Sequence, residues 1–188
     1  MADLNTLRDL FEDELKDMYD AEKRILKALP KVIKAVNDDE LRSALSAHLN
    51  ETRGQVDRLE QIFEAIDVKP KGKRCAGMAG ILEEGSDLLD EDGSEGVLDA
   101  AFIAGCQRVE HYEITAYGSL MAWAKQLGYR DALNLLKANE QEEKAADAKL
   151  SRIAESGVNR LAAAGTEADE EEAEGNGRGR VRNGRPRP

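Results

Sequence analysis

Cysteine is almost absent from this chain of 188 residues, which carries only Cys75 and Cys106. The two lie far apart without CxxC spacing. That argues against a disulfide scaffold or a zinc ribbon and fits a reducing cytoplasm. Proline is nearly as scarce, with four residues, two of which (Pro186 and Pro188) end the chain. Aromatic residues make up 4%. His48 and His111 are the only histidines. With no Gly-flanked serine, no Cys/His arrangement and no phosphate loop, little supports a nucleophilic enzyme. No apolar stretch approaches the ~20 residues that a membrane span needs. The opening MADLNTLRDLFEDELKDM has no basic segment followed by an apolar run, so no secretory signal is expected there. A cytoplasmic protein without membrane contact is the expectation.

What is present favours helix. Apolar residues are 41% and charged residues 35%, and Ala, Leu, Glu, Lys and Arg dominate. The net charge of -11 reads as a solvated helical exterior. In the first helix, read over 3–36, Leu4, Leu7, Phe11, Leu15, Met18, Ile25, Leu29, Val32 and Val36 recur at three- and four-residue steps, and Pro30 interrupts the run. Asn37-Asp38-Asp39 breaks it, and either aspartate can cap the second helix, read over 39–67. A short helix is expected over 78–89. The third long helix, 96–127, carries a broad apolar face that includes Ile103, Ile114 and Met121. Such width implies two neighbouring elements or a second subunit. Gly128 stops it, and a fourth helix follows over 130–156, fraying toward Ala164.

Two helical hairpins joined by a crossover of roughly 30 residues give an all-α, ferritin-like four-helix bundle with a short extra helix in the crossover. The bundle is assigned to 1–164. Residues 165–188 turn first acidic, then alternate Gly or Asn with Arg178, Arg180, Arg182, Arg185 and Arg187. A disordered tail is expected there. Its arginines can grip nucleic-acid phosphates non-specifically, and a merely solubilising tail is the alternative.

Ionisable residues inside the stripes are the informative ones, because an unpaired charge in a core is costly. Glu14 lies between Phe11 and Met18, Asp17 lies on its flank and Glu22 at the edge of the same face. His48, Thr52 and Gln55 share the second stripe, with Glu51 on its border. Glu113 is near the centre of the third helix's face, with Glu110 a turn back. Glu143 lies between Leu136 and Leu150, near Glu140 and Asp147. Similar separations, near 34 residues, link Glu14 with His48, Asp17 with Glu51, Glu110 with Glu143 and Glu113 with Asp147. Stacked core carboxylates repel one another unless protonated or bridged by a cation. The candidate metal ligands are therefore Glu14, Asp17, His48, Glu51, Glu110, Glu113, Glu143 and Asp147. Iron or manganese suits such a set, with Mg²⁺ or Ca²⁺ at more exposed positions. Against this, a helix so highly charged places some glutamates beside its stripe by chance, and their long side chains reach water.

The segments DELKDMYDAEKRILKALPK, HLNETRGQVDRLEQIFE, QRVEHYEITAYGSL and ANEQEEKAADAKL resemble the bacterial YciE/YciF family of ferritin-like proteins, over about residues 4–156. The resemblance implies a ferritin-like bundle, often a homodimer, associated with stress responses. The family's relation to rubrerythrins implies a carboxylate-bridged di-iron or manganese centre with weak oxidase or peroxide-scavenging activity. Glu110-x-x-Glu113 is similar to the paired glutamates of the rubrerythrin third helix, and Glu143 to the first glutamate of the ExxH on their fourth. Two departures stand out. His48-Leu49-Asn50-Glu51 reverses the usual order on the second helix, and Ala146 stands where the fourth-helix histidine would be. Two cysteines also cannot build the rubredoxin-like Cys₄ domain. The alternative to a metalloprotein is a non-enzymatic dimeric interaction protein whose core acids are structural.

Overall fold

Helix α1 spans Leu7–Ala35 and starts from a reciprocal cap. The Thr6 hydroxyl accepts from the Asp9 N–H at 3.1 Å, and the Asp9 carboxylate accepts from the Thr6 N–H at 2.8 Å. The structure is a computed structural model that describes residues 4–164. The expected acidic and arginine-rich tail, 165–188, lies outside the described residues. Pro30 sits within α1, which runs on past it to Ala35. The α1 core series is Phe11, Leu15, Met18, Glu22, Ile25 and Leu29, a four-three alternation in which one member is a glutamate.

Helix α2, Asp39–Ala65, is capped by Asp38, whose carboxylate accepts from the Leu41 N–H at 2.8 Å. The crossover holds α3, Ala76–Asp87, and a single tighter turn over Leu88–Asp90. Helix α4 spans Glu95–Leu127 and α5 spans Arg130–Ile153. Gly128 ends α4 with φ 75°, a left-handed conformation that costs glycine little. Beyond α5 the chain widens into one loose turn, Ala154–Val158, and stays helical over 159–164.

Around the bundle the order is α1, α2, α5, α4, each helix packing on the next and α4 closing on α1. The short α1–α2 and α4–α5 turns make each pair antiparallel. Helix α3 lies across α1 and α4. This accounts for the broad face of α4: it meets α1, α3, α5 and the turn after α5 within one chain. Ile103 is consequently buried, while Ile114 and Met121 are half-buried. Asp99 of α4 ties the hairpins together, accepting from the N–H groups of Asn37 at 2.9 Å and Asp38 at 2.7 Å. Among the described residues there is no strand, and no helix is long and apolar enough to cross a membrane.

Candidate metal centre

The core series of α1 places Glu22 fully inside the bundle. The turn at 36–38 sets the level of α2 against it, so that the stretch from His48 to Gln55 faces Glu22. On α4, Glu110 and Glu113 are one turn apart on the inner side, and on α5 Asn139 and Glu143 occupy core positions after Leu136. Glu22, His48, Gln55, Glu110, Glu113, Asn139 and Glu143 are all buried.

Four of them converge. One ligand atom each from His48, Glu110, Glu113 and Glu143 can be chosen so that all lie within 4.8 Å of one another. His48 Nε2 is 3.4 Å from Glu110 Oε1 and 3.7 Å from Glu143 Oε2. Its Nδ1 lies 3.3 Å from Glu51 Oε2. With Nδ1–H donated to Glu51, the Nε2 lone pair points at the carboxylates, the orientation of a metal-binding histidine held by an outer carboxylate. With the carboxyls ionised, five buried oxygens find no donor among the described residues: Glu22 Oε2, Gln55 Oε1, Glu110 Oε2, Glu113 Oε1 and Glu143 Oε2. Leaving such groups unpaired costs about 1–3 kcal/mol each.

Electrostatics state the same conflict. Burial, then the charge of Glu143, pushes Glu22 well above the usual carboxylate range. Burial, then a shared hydrogen bond with Glu143, does so for Glu110, and burial, then Glu143 and Glu22, for Glu113. Burial pulls the His48 imidazole down, but Glu51 and Glu143 outweigh it, and the net direction is up. The hydrogen bond from His48 holds Glu51 below its ordinary value.

The far side of the cluster is served differently. Tyr117 donates to Glu22, and Asn139 Nδ2 donates to the Tyr117 hydroxyl at 2.9 Å. Arg58 donates to the Asn139 side-chain Oδ1 and to Glu142 Oε2. Gln55 Nε2 donates to Glu143 and, at 3.1 Å, to Glu142 Oε2. A guanidinium thus balances this half of the core through amide and phenol relays. These partners were visible in the sequence only as polar breaks in the apolar stripes: Glu22 within the four-three series of α1, Gln55 between Leu45 and Leu59, and Asn139 after Leu136.

The eight candidate ligands divide. His48, Glu110, Glu113 and Glu143 come together, and Glu51 touches the group only through His48. Asp147 is half-buried and accepts from Gln107 Nε2 at 2.9 Å, and His111 Nε2 lies 3.4 Å away. Glu14 is half-buried, with its carboxyl raised by burial and then by Asp17. Asp17 accepts from the Tyr112 hydroxyl at 3.0 Å and lies 3.8 Å from Lys73 Nζ. Glu14 precedes Glu22 by two turns, about 12 Å along α1, and therefore belongs to another layer. A cavity of ≈ 90 Å³ opens beside Ala146, lined also by His48, Glu51 and Glu110. Ala146, standing where a histidine is expected, leaves room for water on that side of the cluster.

Residues 6–163 match the family described as a domain of unknown function (DUF892). Protein YciF of Escherichia coli is 43% identical over 160 residues, covering 85% of this chain and 96% of that protein. The crystal structure of the E. coli stress protein YciF superposes with a TM-score of 0.79 at 44% identity, over 82% of this chain and 98% of the other. YcfI from Rhodopseudomonas palustris gives 0.78 at 44% identity, over 79% and 95%. A Xanthomonas campestris protein gives 0.62 at 16% identity, over 88% and 99%, a likeness of fold alone.

Proposed function

The chain belongs to the DUF892 family, and from that premise we propose that it is a metal-binding stress protein holding one divalent ion between His48, Glu110, Glu113 and Glu143. The observation that carries this reading is the set of unpaired buried carboxylate oxygens gathered around a histidine lone pair. The four ligand atoms lie within 4.8 Å of one another, close enough that side-chain adjustment alone would gather them on one ion. Three carboxylates and one imidazole suit Fe²⁺ or Mn²⁺.

The donor set fits one ion better than two. In the second half of a carboxylate-bridged pair, Gln55 presents an amide donor, and Arg58 already supplies positive charge through Asn139 and Glu142. A bound Fe²⁺ or Mn²⁺ would supply redox chemistry toward oxidants, which is the source of any oxidase or peroxide-scavenging activity. The protein's own part is to aim His48 through Glu51, to gather three buried carboxyls around it, and to leave room for water beside Ala146.

The test is anaerobic loading of the full chain with Fe²⁺, then admission of air. Uptake of about one ion per chain with ferric absorption, lost in Glu113→Ala/Glu143→Ala, supports the reading. A second reading keeps the acids as a structural, proton-sharing core, possible because Glu22 is already held by Tyr117 and Asn139. No stoichiometric uptake would favour it. In that case the chain acts as a dimeric interaction protein, and polar substitutions at Ile114 and Met121 should abolish self-association.

A further inference from the structure

A second room adjoins the cluster on the side of α3. It is a cavity of ≈ 50 Å³ walled by Ile25 and Leu29 of α1, Ile81 and Leu82 of α3, and Phe102 and Val109 of α4. Its only ionisable oxygen or nitrogen groups are His48 and Glu110, both members of the candidate ion site. Apolar rooms of this kind stay dry, because water finds too few partners in them.

Two glycines line it. A Cβ added to Gly85 of α3 or to Gly105 of α4 would meet nothing within 4 Å. Alanine would fit at both places and would favour the helix, so sterics do not explain the glycines. Gly77 on the same α3 is the opposite case: a Cβ there would come within 2.8 Å of the Tyr112 ring. The room is also reachable. It shares Ala28, Val32, Leu82 and Gly85 with a surface cleft of ≈ 300 Å³ between α1 and α3. The cluster therefore has a polar approach beside Ala146 and an apolar approach beneath α3.

We propose that the cavity between Gly85 and Gly105 is a binding site for a neutral apolar molecule of dioxygen size, which enters between α1 and α3 and comes to rest against His48 and Glu110. The inner volume of ≈ 50 Å³ admits a diatomic gas, whereas benzene needs a cavity about three times larger. Occupancy follows from the cavity alone. Only what the molecule meets at the inner end rests on the ion-binding reading.

The experiment is methyl NMR of the full-length, metal-free chain under dioxygen pressure, which reads contact through paramagnetic relaxation. The methyls of Ile25, Leu82 and Val109 should relax several-fold faster than those of Ile62 and Leu136, which are buried elsewhere in the core. Gly105→Leu should return the cavity methyls to that background. Gly85→Leu, on the more accessible α3, should do the same and serves if Gly105→Leu does not fold. Cavity methyls no more enhanced than Ile62 in the wild type would overturn the proposal, as would enhancement unchanged by both fillings. Enhancement in a chain that takes up no ion would leave the cavity standing and remove the ion-binding reading alone.

Discussion

At the scale of residues, the core sets charge against burial. Glu22, Glu110 and Glu113 have pKa values raised above the usual carboxylate range. Without an ion, these interacting carboxyls bind protons more tightly in the folded state than in the unfolded chain. Stability is therefore full below the ordinary carboxylate pKa and declines as pH rises toward the folded values. The Tm of the metal-free protein should fall between pH 5 and pH 8, and saturating Mn²⁺ should reverse the fall. Glu113→Gln should act in two directions. It should stabilise the metal-free protein at pH 8 by about 1–3 kcal/mol in urea unfolding and weaken Mn²⁺ binding about tenfold or more. The glycines make an equally sharp contrast. Gly105→Ala enters open space and should add about 1 kcal/mol. Gly77→Ala drives a Cβ into the Tyr112 ring and should cost stability despite the better helix former. Thermal melts of the two variants give the comparison.

At the scale of elements, a few polar tethers fix how helices meet. The Asp99 carboxylate joins the start of α4 to the α1–α2 turn through two N–H groups. Asp99→Ala should cost about 2–4 kcal/mol in urea unfolding, since two charge-assisted bonds and a buried anchor go together. Asp20 fastens α3, accepting from the Cys75 N–H at 2.9 Å. Burial raises its pKa, but hydrogen bonds from Arg24 and Cys75 outweigh burial and hold it below the ordinary value. Its contribution is present above the unfolded pKa and is lost as pH falls through the folded one. Exchange protection of the amides at the start of α3, taken relative to their intrinsic rates, should therefore fall in acid, and Asp20→Asn should remove that dependence.

The elements themselves were legible in the sequence. Three- and four-residue spacing gave four long helices and the short one in the crossover, and Asp38 and Gly128 behave as the cap and the stop their chemistry suggests. The levels of the site were harder to read. The separation near 34 residues pairs Glu14 with His48 only about a turn near residue 31, which lies inside α1. With the turn at 36–38, Glu22 faces the middle of the His48–Gln55 stretch, and Glu14 lies level with the region of Glu60. The second hairpin, turning at 128–129, sets Glu113 against Glu143 and Glu110 against Asp147. Periodicity reveals which face a residue takes, while the turn decides which layer it joins. The relays through Tyr117, Asn139 and Arg58 depend on side-chain reach between helices distant in sequence, which no local pattern encodes.

At the scale of the whole molecule, the bundle brings together two unlike approaches to one buried cluster, roofed on one side by the crossover helix α3. The fold is shared with YciF; against the paired ExxH pattern of di-iron bundles, His48–Glu51 runs in reverse order and Ala146 stands in the place of a histidine. Ala146→His returns an imidazole to the room beside Glu110 and should tighten Mn²⁺ or Fe²⁺ binding about tenfold, read by competition with a chelating dye.

On the ion-binding proposal, the cluster of His48, Glu110, Glu113 and Glu143 takes one divalent cation in exchange for protons. Calorimetric titration of the metal-free full chain with Mn²⁺, repeated in buffers of different ionisation enthalpy, measures both quantities together. About one ion per chain, with release of about one to two protons, is the predicted result. Absence of binding heat together with an unchanged Tm, in wild type and in Glu113→Gln alike, would contradict it.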